Sequence, residues 1–360
     1  MRVNCLLIIA AVFSFTSACR LPPIGDVAPD PSCHADAHVE RKDIFVVTAR
    51  GFRCRSMVAE FGPYREISRL NFGRSPALGQ FPDGLAPTFL VVESAWQNDL
   101  DDRVKNGGPP VIYIHGYNNS EDEVVRRARA IGTLLMDSRP IIAVTWPSYA
   151  MKSAVVWDEA NNEWAREALS AELERLVTRY KGATIVAHSM GNRILLDFLI
   201  NHPGSIRHIG GIIAAAPDVD EDQFMRHMQK GAVLGVPVTI YASTRDQALA
   251  TSWMIHGLRR AGDLSATAHN HRLLIRYTEL DPDVAVVDLS SVKKGDPFGH
   301  SNFIQSEWGA ADLCRVLNDK PKVGRSPISN RYSELVEAHD STNDCEARAV
   351  QATRIDRGQL

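Results

Sequence analysis

The chain of 360 residues is long enough for one substantial core or two modest ones, and its 44% hydrophobic and 23% charged residues are ordinary for a globular protein. A net charge of −3 with the two signs mixed argues against a nucleic-acid-binding or polybasic membrane-binding protein. Past the N-terminus, no run is long and apolar enough to span a bilayer.

The chain opens with Arg2 and an apolar run over residues 3–15, interrupted by Asn4 and followed by Thr16-Ser17-Ala18-Cys19. Residues 1–18 read as a secretory signal, with Cys19 where a bacterial lipoprotein carries its acylated cysteine. Thr16 departs from the usual leucine, so simple cleavage after Ala18 is the alternative. The polar, proline-rich residues 19–40 then form a tether, and the membrane is reached only through lipid chains on Cys19. The expected location is the periplasm or outer membrane, as a lipoprotein or as a soluble exported protein. Of the remaining cysteines, Cys33, Cys54, Cys314 and Cys345, an exported chain is expected to make two disulfides. Three pairings are open, and pairing of sequence neighbours would pin both termini to the body. Neither a metal site nor an organic cofactor is called for, and His269-Asn270-His271 reads as a solvated loop pair.

One folded domain is expected over residues 41–320, ahead of a polar tail over 321–360. Apolar, β-branched runs occupy residues 44–48, 89–92, 111–114, 141–146, 183–187, 209–215, 236–241 and 284–289. Several are continuously apolar, as in parallel strands buried on both faces. Helical patterns separate the later runs. Ser120 and Glu123 form a capping box before the stripe Val124, Ala128, Ile131 and Leu135. Ala165, Leu169, Leu173, Leu176 and Tyr180 form a second stripe, and Ile194, Leu195, Phe198 and Leu199 a third. The alternation predicts a doubly wound, mostly parallel α/β sheet with helices on both faces in a single domain. The first two runs lack an intervening helix, which predicts an antiparallel edge.

Within that order, Ala187-His188-Ser189-Met190-Gly191 joins an apolar strand to an amphipathic helix, the layout of a nucleophile elbow. A serine hydroxyl attacks only when a turn exposes it and a base takes its proton. Gly191 satisfies the need for a small residue after the serine, and Ala187 replaces the usual glycine before it. His115-Gly116-Tyr117-Asn118-Asn119, at the end of residues 111–114, is placed to give an oxyanion hole from the N–H groups of Tyr117 and Met190. His115 is assigned to shaping that loop. The acid is expected after a later strand. Asp246 fits the chain order serine, acid, histidine, and Asp218 is the alternative acid; either could instead be a helix N-cap. His300, in Gly299-His300-Ser301, follows the last strand and is the candidate base.

These segments, with Trp146-Pro147-Ser148, Asn192, Ala215-Ala216-Pro217-Asp218-Val219-Asp220 and Tyr241-Ala242-Ser243, resemble a bacterial α/β-hydrolase family catalogued as domain of unknown function nine hundred. The resemblance covers roughly residues 40–320 and implies the α/β-hydrolase fold with Ser189, Asp246 and His300 as its triad. Alanine at the position of Ala187 is common in it. It implies no particular substrate. The reaction expected is hydrolysis of a carboxylic ester, from a small-molecule or lipid-like substrate, through an acyl-enzyme on Ser189. Acyl transfer differs only in the acceptor, and a non-catalytic surface-anchored binding or scaffold protein on a hydrolase fold is the reading from another class. The segment from Trp146 to Trp157, with Tyr149, Met151, Val155 and Val156, is a candidate lid or acyl pocket; ordinary packing of an inserted loop is the alternative.

Overall fold

The computed structural model describes residues 43–55, 58–65, 70–76, 88–151, 154–233, 235–265, 283–292, 295–329, 332–336 and 344–359. The signal segment, Cys19, Cys33, the tether and His269-Asn270-His271 lie outside them, so those expectations are not addressed by the structure. The strands are β1 (Ile44–Thr48), β2 (Arg50–Arg55), β3 (Val58–Arg65), β4 (Asn71–Ser75), β5 (Phe89–Leu90), β6 (Val111–Ile114), β7 (Ile141–Thr145), β8 (Ala183–His188), β9 (Ile209–Ala215), β10 (Val238–Ala242), β11 (Val284–Asp288), β12 (Arg325–Ser329) and β13 (Tyr332–Leu335). The helices are α1 (Glu93–Gly107), α2 (Glu121–Leu134), α3 (Val155–Arg179), α4 (Gly191–Asn201), α5 (Glu221–Val233), α6 (Gln247–His256), α7 (Asn302–Gln305), α8 (Glu307–Leu317) and α9 (Asp344–Asp356).

Among the described residues, eleven strands form one sheet in the order β12-β13-β11-β10-β9-β8-β6-β7-β1-β4-β5. From β13 to β1 every neighbouring pair is parallel. Successive side chains of a strand point to opposite faces, and both faces are buried. Ile112 and Ile114 join Leu169, Leu173 and Leu176 of α3 and Ile194 and Phe198 of α4 on one face. Val111 and Tyr113 join Val124, Ala128 and Ile131 of α2 and Leu313 of α8 on the other. Each fully buried leucine of such a stripe contributes roughly 1.5–3 kcal/mol, so this packing, rather than helix propensity, decides where the helices lie. The capping box forms as expected, Ser120 Oγ accepting from Glu123 N–H at 3.3 Å and Glu123 Oε2 from Ser120 N–H at 2.7 Å.

Two regions differ from the sequence reading. The edge beyond β1 is antiparallel, as expected, but through β4, a strand the reading missed; β1 itself runs parallel to β7. The segment past residue 320 is no tail. β12 and β13 extend the sheet beside β11, and α9 packs on α2 and α8. A disulfide between Cys314 and Cys345 ties α9 to α8 across a sequence separation of 31. In a chain-entropy account, closing such a loop contributes about 3–4 kcal/mol. No helix of the described residues is long and apolar enough to cross a membrane.

Candidate active site

All parallel strands end at one edge of the sheet, and in such sheets sites gather outside the carboxyl ends. β8 ends there at His188, and Ser189 follows with φ of +52°, a left-handed conformation that a side-chain-bearing residue adopts only under constraint. The constraint is visible. Ser189 N–H donates to Ala215 O at 2.9 Å, and Ser189 O accepts from Asn192 N–H at 3.1 Å, from Asn192 Nδ2 at 3.0 Å and from Asp218 N–H at 3.2 Å. Asn192 is wholly buried and also holds Ala187 O at 3.1 Å. The elbow and the loop after β6 meet at two glycines: a Cβ on Gly191 would lie 2.5 Å from His115 O, and one on Gly116 would lie 2.6 Å from Ser189 Cβ. Ala187 is wholly buried between Ile114 of β6 and Ala214 of β9.

The loop that crosses Ser189 is held from behind. Nδ1 of the buried His115 donates to Gly116 O at 2.7 Å, its Nε2 accepts from Trp146 N–H at 3.0 Å, and its ring stacks on Trp146 at 4.8 Å. Burial and the Arg50 charge keep this imidazole neutral, its pKa well below 6.5, which suits the loop-shaping role and no proton transfer. Asn118 takes a positive φ of 59°, its N–H donating to Asp158 Oδ2 at 3.1 Å. Asp158 also holds Ser148 Oγ at 2.5 Å and Tyr149 N–H at 2.8 Å, and Arg50 reaches Asn119 O at 2.8 Å and Ser148 O at 3.0 Å. Sequence reasoning missed Asp158 and Arg50; the signal for Asp158 was an acid in the first turn of a helix, where it meets N–H groups of a preceding loop. Tyr117 is half-buried on this loop, while Met190 is the N-cap of α4, where backbone N–H groups lack intrahelical acceptors.

On the other side of Ser189, Asp246 and His300 are brought together. Asp246 Oδ2 accepts from His300 Nδ1 at 2.8 Å. The N-cap reading of Asp246 also holds, because its second oxygen accepts from Leu249 N–H at 2.9 Å. One carboxylate starts α6 and orients the imidazole. Gly299, with φ of +75°, lets the two loops touch: a Cβ there would lie 2.7 Å from Arg245 O. Asp296 Oδ2 accepts from the N–H groups of His300 and Ser301, both at 2.9 Å. Burial alone would lower the pKa of His300, but the Asp246 charge and hydrogen bond, followed by the charges of Asp218 and Asp296, hold it above 6.5. Among the described residues no hydrogen bond joins Ser189 Oγ to His300 Nε2.

Asp218, the alternative acid, is engaged elsewhere. It accepts from Ser252 Oγ at 2.7 Å and pairs with Arg260 at 3.2 Å and Arg193 at 3.4 Å. Trp146 is buried in the core, whereas Met151 and Val156 are exposed and Tyr149 meets Trp157 at 6.5 Å between ring centres. A small cavity is lined by Ala216, Tyr241, Asp246, His300 and Phe303 among others, and Ser189 does not line it. Among the described residues, no group of three or more His, Cys, Asp and Glu side chains is arranged to hold a metal ion.

Residues 92–314, more than half of the chain, match the model of a family described as an alpha/beta hydrolase of unknown function (DUF900). The chain belongs to this family. The match takes in Ser189, Asp246 and His300 and stops at Cys314, so β12, β13 and α9 of this α/β hydrolase lie beyond it. No match was found among curated proteins.

Proposed function

We propose that this α/β hydrolase is a serine hydrolase that cleaves a carboxylic ester through an acyl-enzyme on Ser189. The reading rests chiefly on the Asp246–His300 hydrogen bond of 2.8 Å beside a serine held at φ of +52°. With Nδ1–H committed to Asp246, the lone pair of the neutral ring is on Nε2, which takes the proton as Ser189 Oγ bonds to the acyl carbon. The N–H groups of Tyr117 and Met190 receive the negative charge that develops on the carbonyl oxygen. Collapse of the tetrahedral intermediate breaks the ester C–O bond, and His300 returns its proton to the departing alcohol. Water, deprotonated by the same nitrogen, then releases the acid. The reading needs no Ser189–His300 hydrogen bond in the free protein, because catalytic hydrogen bonds often tighten only when substrate binds.

Export through the N-terminal segment, with or without acylation at Cys19, is part of the same proposal. The Cys314–Cys345 disulfide supports it, since such bonds persist in oxidising compartments. The test is turnover of short p-nitrophenyl esters by the wild type and by Ser189→Ala, with a fluorophosphonate probe for the serine. Loss of the nucleophile is expected to cost on the order of a millionfold in turnover; equal rates in the two proteins would refute the assignment.

A further inference from the structure

His188 precedes the candidate nucleophile and has no part in the chemistry above, yet it is buried against the catalytic base. Its ring centre lies 4.8 Å from that of His300 and 5.1 Å from that of Phe303. Two contacts fix its protonation. Arg127 Nη1 stands 3.4 Å from His188 Nδ1, and His188 Nε2 stands 3.3 Å from the main-chain oxygen of His300. A guanidinium has only donors, so Nδ1 must accept and the imidazole proton must sit on Nε2, where it donates to His300 O. Both bonds are long, but they run in one direction and leave no ring nitrogen of His188 unpaired.

Arg127 is in turn aimed by the C-terminal helix. Asp356, the last residue of α9 and 4% exposed, accepts from Arg127 Nε at 2.9 Å and from Nη2 at 3.2 Å. Gln305 Nε2 donates to the same carboxylate at 2.8 Å. The two-point grip fixes the plane of the guanidinium and therefore the direction of Nη1. Burial first, then the charges of His300 and Arg127, keep His188 well below 6.5 and neutral, so Nδ1 keeps its lone pair for Arg127 while Nε2–H donates to His300 O.

We propose that Asp356, acting through Arg127 and His188, is a positioning residue for His300, so that the C-terminal helix outside the matched family region supports the catalytic base. The inference rests on the serine hydrolase reading for its kinetic consequence but not for its geometry. Asp246 then fixes the His300 ring, Asp296 its N–H, and the chain from Asp356 its carbonyl. The Cys314–Cys345 disulfide holds the start of the helix whose last residue anchors this chain.

The experiment has two arms. In ¹⁵N-histidine spectra of the intact wild type, His188 is expected as the tautomer protonated at Nε2; a proton on Nδ1 overturns the proposal whatever the variants do. In ester kinetics, Asp356→Asn, which keeps the size and removes the charge, is expected to lower kcat roughly tenfold to a hundredfold with KM unchanged, as misplacement of a catalytic group does. Asp356→Glu should recover part of the loss. Unchanged kcat in a folded Asp356→Asn protein overturns the proposal, as does an equal loss in Asp356→Glu. Absence of both ester turnover and probe labelling in the wild type would instead refute the serine hydrolase reading, leaving the tautomer arm to decide the relay.

Discussion

Two buried aspartates follow adjacent parallel strands at the edge where Ser189 lies, and they do different work. Asp246, after β10, divides its carboxylate between the N-terminus of α6 and the His300 ring. Asp218, after β9, gives its carboxylate to Ser252, Arg260 and Arg193 and touches Ser189 only through the backbone. Both are shielded from water, at 2% and 6% exposure, so burial does not separate them. What separates them is which loop packs opposite: the Gly299-His300 turn meets the Asp246 loop, and the arginines meet Asp218. An acid becomes an orienting group through its partner, whereas its depth alone says only that some partner must exist.

Asp246→Asn should break the comparison most sharply. The asparagine can still cap α6, but it no longer fixes the His300 tautomer, and a loss of about ten-thousandfold in kcat is expected for such a change. Stopped assays with an activated ester would measure it, and a loss of less than tenfold would mean that Asp246 is only a cap. Asp218→Asn should do the reverse. It leaves the buried Arg260 uncompensated, so unfolding in urea should show a loss of about 3 kcal/mol while kcat stays near the wild-type value. A folded Asp218→Asn protein with kcat reduced a thousandfold would restore Asp218 as the acid.

The pH profile gives the finest resolution. His300 must be neutral to accept a proton, and its pKa is held above 6.5. The ratio kcat/KM should therefore rise with pH through a midpoint above 6.5 and then level off. Residual activity of Asp246→Asn should show that midpoint at lower pH, because the charge that raised it is gone; Asp218→Asn should move it much less. Stability carries the opposite sign. A histidine whose folded pKa is raised contributes stability that is fully present below its unfolded value near 6.5 and is lost as pH rises through the folded value. Thermal melts across that window would detect it.

Much of this was legible in the residues. The continuous apolar runs at β6, β8, β9 and β11 marked strands buried on both faces, and Ser120 with Glu123 marked the start of α2. The serine turn was legible because Gly191 meets the local demand for a small residue after the serine. β4 was not, since Asn71-Phe72-Gly73-Arg74-Ser75 is polar by composition and is buried only because β1 and β5 flank it. Nor was α9: its inward stripe, Cys345, Ala349, Ala352 and Ile355, is mostly small and therefore weak as a hydrophobic signal. Asp356 escaped because it acts on Arg127, remote in sequence, and Asp158 because an acid in a helix's first turn is a weak signal on its own.

By itself, the sequence determined the alternation of strands and helices and the strand-turn-helix setting of Ser189, because these follow from local periodicity and turn chemistry. The tertiary structure alone decided which aspartate meets His300, since two carboxylates in similar strand-to-helix turns differ only in what packs across from them. It also decided that a segment read as a polar tail extends the sheet edge, packs a helix on α2 and α8 and ends on Arg127. Partners remote along the chain leave no periodic trace in it, and only packing brings them within hydrogen-bond reach.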